Sequence, residues 1–216
     1  MTGNLPKTMK AWVFSRPGKP TDVLSLKKAW PMPAAPKSGE IMVKVSYASI
    51  NPVDNAFMGM NIPFRGNAIP GMDFVGEVIQ VGRPSTSTSV HWIPTVGTTV
   101  AGCIPVMSAL RGAGTLAEYV TVSAQAVAQK PNEMDESLAA GLMGIAGQTS
   151  ATILRHARLG EGDKVLINGA SGGVGTILVH VLSAMGIHVT GICSGRNAAI
   201  VQSLGAGAVS LSQTFL

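Results

Sequence analysis

Four glycines, Gly169, Gly172, Gly173 and Gly175, fall within seven residues of the stretch from Lys164 to Arg196. Glycine has no Cβ, so a turn built from it can bring backbone N–H groups up to a bound oxyanion. Gly172 and Gly173 permit close approach and positive φ. Gly175 lets the following helix lie tightly on the strand before it. If Gly172, Gly173, Val174 and Gly175 open a helix, its N-terminus favours a phosphate by roughly 0.3–1 kcal/mol at an exposed site. About twenty residues further on stands Cys193-Ser194-Gly195-Arg196. A site for a dinucleotide with an unphosphorylated ribose usually has an acid there; this sequence has none. Ser194 can donate to a phosphate oxygen, and Arg196 can pair with a ribose 2′-phosphate in a bond that contributes about 1.5–3 kcal/mol. The chemistry expected is binding of NADPH rather than NADH. The alternatives are a glycine turn that only packs helix on strand and an arginine that is only solvated.

The elements that must hold these residues are legible in the pattern. Val165, Leu166 and Ile167 form a short apolar run, a strand suited to the middle of a parallel sheet. Val174, Ile177, Leu178, Val181, Leu182 and Met185 recur at helical spacing and predict one sheet-facing stripe. Gly186 ends that helix, and Ile187 to Cys193 is β-branched again. This is a βαβ unit with a glycine-rich first turn.

The first ~130 residues read as β. Short strands are predicted at Met9 to Phe14, Ile41 to Tyr47, Phe74 to Val81, Thr98 to Ile104, Leu116 to Val122 and Ala126 to Gln129. In the second of these, Ile41, Val43, Val45 and Tyr47 share one face and Met42, Lys44 and Ser46 the other. Trp30 to Pro36 is extended, and 82–95 is a loop rich in Ser, Thr and Pro. Many short strands between Gly and Pro turns predict a small barrel. The period changes at Pro131. Asp135 is expected to cap a helix through Leu138 and Leu142, and a second helix runs from Thr149 to Leu159. The division expected is a barrel at 1–130 and a dinucleotide-binding domain at 131–216.

Composition bounds the rest. The chain has 216 residues, 46% hydrophobic, so a substantial core is expected. Its net charge of +5 comes from few acids, 11, rather than many bases, 16. No basic cluster or aromatic ladder points to nucleic acid. Cys103 and Cys193 are too far apart in sequence to suggest a disulfide framework or a metal site. No run reaches membrane-spanning length and no secretory leader is evident, so a cytoplasmic location is expected.

Six collinear stretches carry a family resemblance: ASINPVDNAF (48–57), PGMDFVGEVIQVG (70–82), GTLAEYVTV (114–122), AGQTSATIL (146–154), NGASGGVG (168–175) and LGA (204–206). Together they resemble the medium-chain dehydrogenase/reductase superfamily, in its zinc-independent quinone-oxidoreductase (ζ-crystallin-like) branch. The resemblance implies a GroES-like barrel joined to a Rossmann domain, with nicotinamide-linked reduction in the cleft between them.

The resemblance also implies roles. Asn51 matches the family's asparagine near nicotinamide and substrate; the alternative is a turn residue before Pro52. Asp54 either orients that loop or caps a helix. Thr149 matches a threonine that faces the cofactor, or it is a helix hydroxyl satisfying a backbone N–H. Relatives often place a tyrosine near the cofactor where this chain has Ala56, and a Gly-Asp pair where it has Gly97-Thr98. Zinc-dependent relatives have a cysteine at the place of Asn51 and a His-Glu pair at Met72-Asp73. Asn51 and Met72 are not ligands zinc takes in such a site, so no metal is expected. His91, His156, His180 and His188 show no partner pattern, and His180 lies off its helix's apolar stripe.

An active enzyme of this kind moves hydride from NADPH to a quinone or an α,β-unsaturated carbonyl; Asn51 is a candidate donor to developing oxyanion charge, and no residue stands out as proton donor. A dinucleotide fold uses about six parallel strands. Here the first, the second and a third at Ala208 to Leu211 are found before Leu216, so a C-terminally truncated, incomplete sheet is expected. Its first strand would then have a bare edge, prone to pair with another copy of the chain. Two classes stay open: a reductase completed by self-association or by a longer chain, and a non-catalytic remnant that binds NADPH weakly or serves as an interaction module. Within the first class, an enoyl reductase acting on polyketide or fatty-acyl thioesters is a further alternative.

Overall fold

The computed structural model describes residues 5–63, 65–83, 92 and 94–211. His91 and much of the predicted 82–95 loop lie outside the described residues. The chain packs as two compact units, 1–145 and 146–216. The change of hydrophobic period at Pro131 marks where strands give way to helices.

In chain order the first unit contains β1 (Thr8–Val13), α1 (Pro20–Val23), β2 (Ser25–Pro31), β3 (Glu40–Tyr47), α2 (Pro52–Gly59), β4 (Asp73–Val81), β5 (Thr99–Cys103), α3 (Val106–Leu110), β6 (Tyr119–Ser123), β7 (Val127–Gln129) and α4 (Glu136–Leu142). Five strands form one antiparallel sheet in the order β6-β3-β4-β5-β7, and β1 pairs with β2. The β1–β2 ribbon is tied on by bridges from Ala11 to Ala117 and from Phe14 to Ala68. The curled strands enclose Ile41, Val43, Met72, Phe74, Val78, Val100, Val120 and Val122. This is the barrel the turn-rich sequence predicts.

The barrel's departures from simple alternation have local causes. In β3, Met42 is buried and Tyr47 is 51% exposed, against the predicted faces. The register with β4 shifts between Met42 and Val43 and again between Val45 and Tyr47. At the first shift the extra residue, Ile79, is in β4; at the second it is Ser46 in β3, which reverses the side to which Tyr47 points. β4 is buried on both faces at its start, because Val75 turns away from the barrel core and packs with Ala101 against Ala139 and Ala140 of α4. Asp135 caps α4 by accepting from Ser137 N–H. The small alanines, not Leu138 and Leu142, make that contact; both leucines are exposed.

The second unit holds most of α5 (Ile145–Ala157), then β8 (Lys164–Asn168), α6 (Gly173–Ala184), β9 (His188–Cys193), α7 (Ala198–Ser203) and β10 (Ala208–Leu211). The sheet order is β10-β9-β8, all parallel, which is the crossover arrangement of a Rossmann domain. α5 begins four residues before Thr149, because Gly147 and Ser150, both buried, replace apolar residues on its packed side. β8 lies at an edge of the described sheet with β9 in the middle, the bare edge expected for the first strand, and Leu166 of β8 is 64% exposed. One further expectation needs correction. On α6 the buried positions are Gly175, Leu178, Val179 and Leu182, while Met185 is exposed. The stripe is rotated by one residue because Gly175, not Val174, touches the turn beneath the helix. Among the described residues no single helix is long and apolar enough to cross a membrane.

Gly175 sets the closeness of that packing. A Cβ there would lie 2.3 Å from Gly169 O and 2.8 Å from Ala170 Cα, both backbone atoms that cannot swing aside. Gly175→Ala should therefore lower the unfolding free energy by about 1–3 kcal/mol. Denaturant unfolding checks this, and an unchanged midpoint would show that the turn has room to move.

Candidate functional site

The polar residues of the first unit converge on Asp73, the first residue of β4. It is 1% exposed. Asp73 Oδ2 accepts from Asn51 Nδ2 at 2.8 Å and from Ser49 Oγ at 2.9 Å; Oδ1 accepts from Ile145 N–H at 3.0 Å. Thr115, buried, donates to the Asp73 carbonyl at 3.0 Å. Gly144 makes room for the carboxyl, since a Cβ there would stand 2.2 Å from Asp73 Oδ2.

Asn51 sits at the N-cap of α2 with extended backbone, followed by Pro52 at a position where helices tolerate proline. Its N–H donates to Asp54 Oδ2 at 2.7 Å. Asp54 thus serves as a cap for α2, one of the two roles read from the sequence. The other oxygen of Asp54, Oδ1, is buried and has no hydrogen-bond partner. Asn51 therefore joins two buried carboxyls, Asp54 through its main chain and Asp73 through its side chain. Met72 is in the barrel core, Ala56 is exposed, and Gly97-Thr98 precedes β5.

Burial pushes the Asp73 carboxyl above the usual carboxylate range, and the bonds from Asn51, Ile145 and Ser49 oppose this without cancelling it. Asp54 is also raised, first by burial and further by the charge of Asp73, with bonds from Asn51 opposing. Sequence reading weighed Asp73 only as the partner of a missing zinc ligand and passed over Ser49. The available signal was an acid in the otherwise apolar opening of GMDFVGEVIQV, where burial forces it to find donors.

In the second unit, β8 runs into Gly169 at φ +74, and Gly172 caps α6. Around Gly172 and Gly173 there is space. The nearest atoms a Cβ would meet are Gly169 O at 3.3 Å and Ala146 Cβ at 3.6 Å. Both glycines are exposed, and Val174 packs its side chain inward, leaving main-chain N–H groups at the mouth of the turn. The cradle fits a pyrophosphate. Thr149 is exposed, one turn along α5 from Ala146. Its neighbour Ser150 donates to Ala146 O at 2.9 Å and approaches Val174 O at 3.4 Å. Ser194 is half-buried at the end of β9, and Arg196 is exposed in a 3₁₀ turn, with no side-chain partner among the described residues. Asn197 Nδ2 donates to Ser171 Oγ at 3.0 Å, and Ala170 N–H to Ile192 O at 2.9 Å. These two bonds, which sequence reading did not anticipate, hold the arginine-bearing turn against the glycine turn. His180 and His188 are exposed, and His156 bonds its own helix at Thr152 O.

A carboxyl whose folded pKa exceeds its unfolded value contributes stability in full below the ordinary carboxyl range and loses it as pH rises through the folded value. Asp54→Asn removes a buried charge while its amide oxygen can still accept the Asn51 N–H. The variant should unfold at a higher temperature than wild type at about pH 8 and near the wild-type temperature at about pH 4. A gain of equal size at both would refute burial of charge as the cause.

The alcohol dehydrogenase GroES-like domain family matches residues 37–132. A trans-enoyl reductase of Aspergillus terreus is 34% identical over 221 residues, covering 97% of this chain and 60% of that protein. A quinone oxidoreductase structure from Coxiella burnetii aligns with a TM-score of 0.78 at 31% identity, over 94% of this chain and 62% of its own. A mycobacterial structure, Rv1454c complexed with NADPH, aligns with a TM-score of 0.77 at 25% identity, over 96% and 59%. The chain thus spans about three fifths of the length of these relatives. Barrel, parallel sheet and these likenesses agree: the chain belongs to the medium-chain dehydrogenase/reductase superfamily, in its quinone-oxidoreductase branch.

Proposed function

We propose that this chain carries the barrel and the cofactor-binding turn of an NADPH-dependent, zinc-independent reductase acting on quinones or α,β-unsaturated carbonyls. The observation that carries the reading is the open cradle at Gly172 and Gly173 with Arg196, which has no side-chain partner among the described residues, held beside it through Asn197 and Ser171. Backbone N–H groups of Gly173, Val174 and Gly175 would hold the pyrophosphate, Gly172 allowing its close approach while its own N–H is used within the turn on Gly169 O, with Thr149 a further contact to the cofactor. Ser194 and Arg196 would take the 2′-phosphate. No acid stands at the end of β9 to repel it. When bound, NADPH supplies the hydride.

Asn51 is the residue we assign to the nicotinamide and substrate. Capping by Asp54 and the bond to Asp73 fix its rotamer, so it can meet a carbonyl without reorganising. Its amide donates to Asp73, which is the work of a hydrogen-bonding residue rather than a metal ligand. An enoyl thioester is the alternative substrate, favoured by the likeness to the Aspergillus enzyme; conjugate addition of hydride needs the same parts.

Titration of the purified chain with NADPH and NADH tests the cofactor assignment. Arg196→Glu should weaken NADPH binding about 10- to 100-fold, the equivalent of one charge-assisted contact, and leave NADH binding unchanged. Equal losses for both nucleotides would refute the 2′-phosphate role. Turnover with a simple quinone against a short-chain enoyl thioester separates the two substrate readings.

A further inference from the structure

The donors around Asp73 do not suffice if its carboxyl is charged. Ser49 Oγ lies 2.9 Å from Asp73 Oδ2 and 3.2 Å from Ala140 O. Both are acceptors, and a serine hydroxyl has one proton. The Ala140 carbonyl lies in the last turn of α4, where N–H partners run out. Met143 N–H goes to Ala139 O and Gly144 N–H to Gly141 O, so Ser49 is the donor that reaches Ala140. With its proton there, Ser49 Oγ would present a lone pair to a carboxylate lone pair at 2.9 Å.

A proton on Asp73 Oδ2 resolves this. Asp73 O–H then donates to Ser49 Oγ, and Ser49 O–H donates to Ala140 O. Asn51 Nδ2 and Ile145 N–H keep their acceptors at 2.8 and 3.0 Å. The surroundings agree. Cys103, which stands opposite Asp73 in the β4–β5 register, brings no positive charge. The ion pair among the described residues, Lys10 with Glu118, involves neither carboxyl. Asn51 Nδ2 and Ile145 N–H favour the charged form, but two neutral donors do not replace the hydration that a carboxyl 1% exposed has given up.

We propose that Asp73 carries a proton at neutral pH and that Asp73 and Ser49 form a proton store beside Asn51, the source of the proton that accompanies hydride in the reduction. The use of the proton rests on the function proposed above; its presence does not. Hydride addition to the β-carbon of an enone leaves an enolate. Ser49 O–H protonates the α-carbon as Asp73 O–H reprotonates Ser49 Oγ. Asp73 is left as a carboxylate, which solvent reprotonates. One hydride and one proton are consumed per double bond, and the nicotinamide is oxidised.

Infrared spectroscopy of the purified full chain tests the protonation. Wild type at neutral pH should show the C=O stretch of a protonated carboxyl, sensitive to deuterium exchange. Asp73→Asn should lack the band, Asp54→Asn should keep it, and Ser49→Ala should lose it at lower pH than wild type. No band in wild type, or one that Asp73→Asn retains and Asp54→Asn removes, overturns the proposal. If Asp73→Asn does not fold, the carbon-13 shifts of the aspartate carboxyls in wild type and Ser49→Ala decide. With NADPH and an enone, the wild-type rate should fall on the alkaline side where the band disappears. Asp73→Asn should lose that limb with KM little changed. An alkaline limb that does not follow the band overturns the use of the proton. The band without any turnover in wild type overturns the functional reading and leaves the protonation standing.

Discussion

The barrel unit depends on the burial of one carboxyl without a cation. Asp73 brings together the 48–51 segment, the start of β4 and the end of α4, because each must supply or make room for a hydrogen-bonding group around it. A buried charge lacking such partners costs several kcal/mol. The arrangement around it is correspondingly closed: Ser49 and Asn51 bind one oxygen, Ile145 the other, and Gly144 has no side chain to intrude. The same bonds that satisfy the acid hold Asn51 in one rotamer. Stability and presentation of the candidate contact residue are therefore one problem with one solution.

The dinucleotide unit solves a different problem by different means. It has to leave space, not fill it. Gly175 is pressed against the turn so that α6 can start close to β8, while Gly172 and Gly173 remain open to solvent. Positive potential comes from main-chain N–H groups and from Arg196, which no acid among the described residues neutralises. The loop after β9, which carries Arg196, is kept in place by the Asn197–Ser171 bond.

Much of this was legible in the chain. The βαβ pattern, the glycine spacing, the capping role of Asp135 and the strand-rich first 130 residues all follow from local rules of period and turn chemistry. The resemblance of six collinear segments added the family. Local rules failed where neighbours in space decide. Tyr47 is outside because an extra residue, Ser46, interrupts the pairing of β3 with β4. Leu138 and Leu142 are exposed because α4 turns Ala139 and Ala140, not its leucines, to the sheet. The α6 stripe turned by one residue because a glycine, invisible to a count of apolar residues, is its closest contact.

The sequence by itself determined which groups were available: a glycine-rich turn, an arginine in place of an acid, and an asparagine and a methionine where zinc-binding relatives carry ligands. Those are properties of residue type and spacing along the chain. Only the tertiary structure decided that Asp73 matters. Its donors come from residues 22 to 72 positions away, and whether a carboxyl is charged depends on how many donors and how much water surround it. That count exists only once the barrel has closed over it.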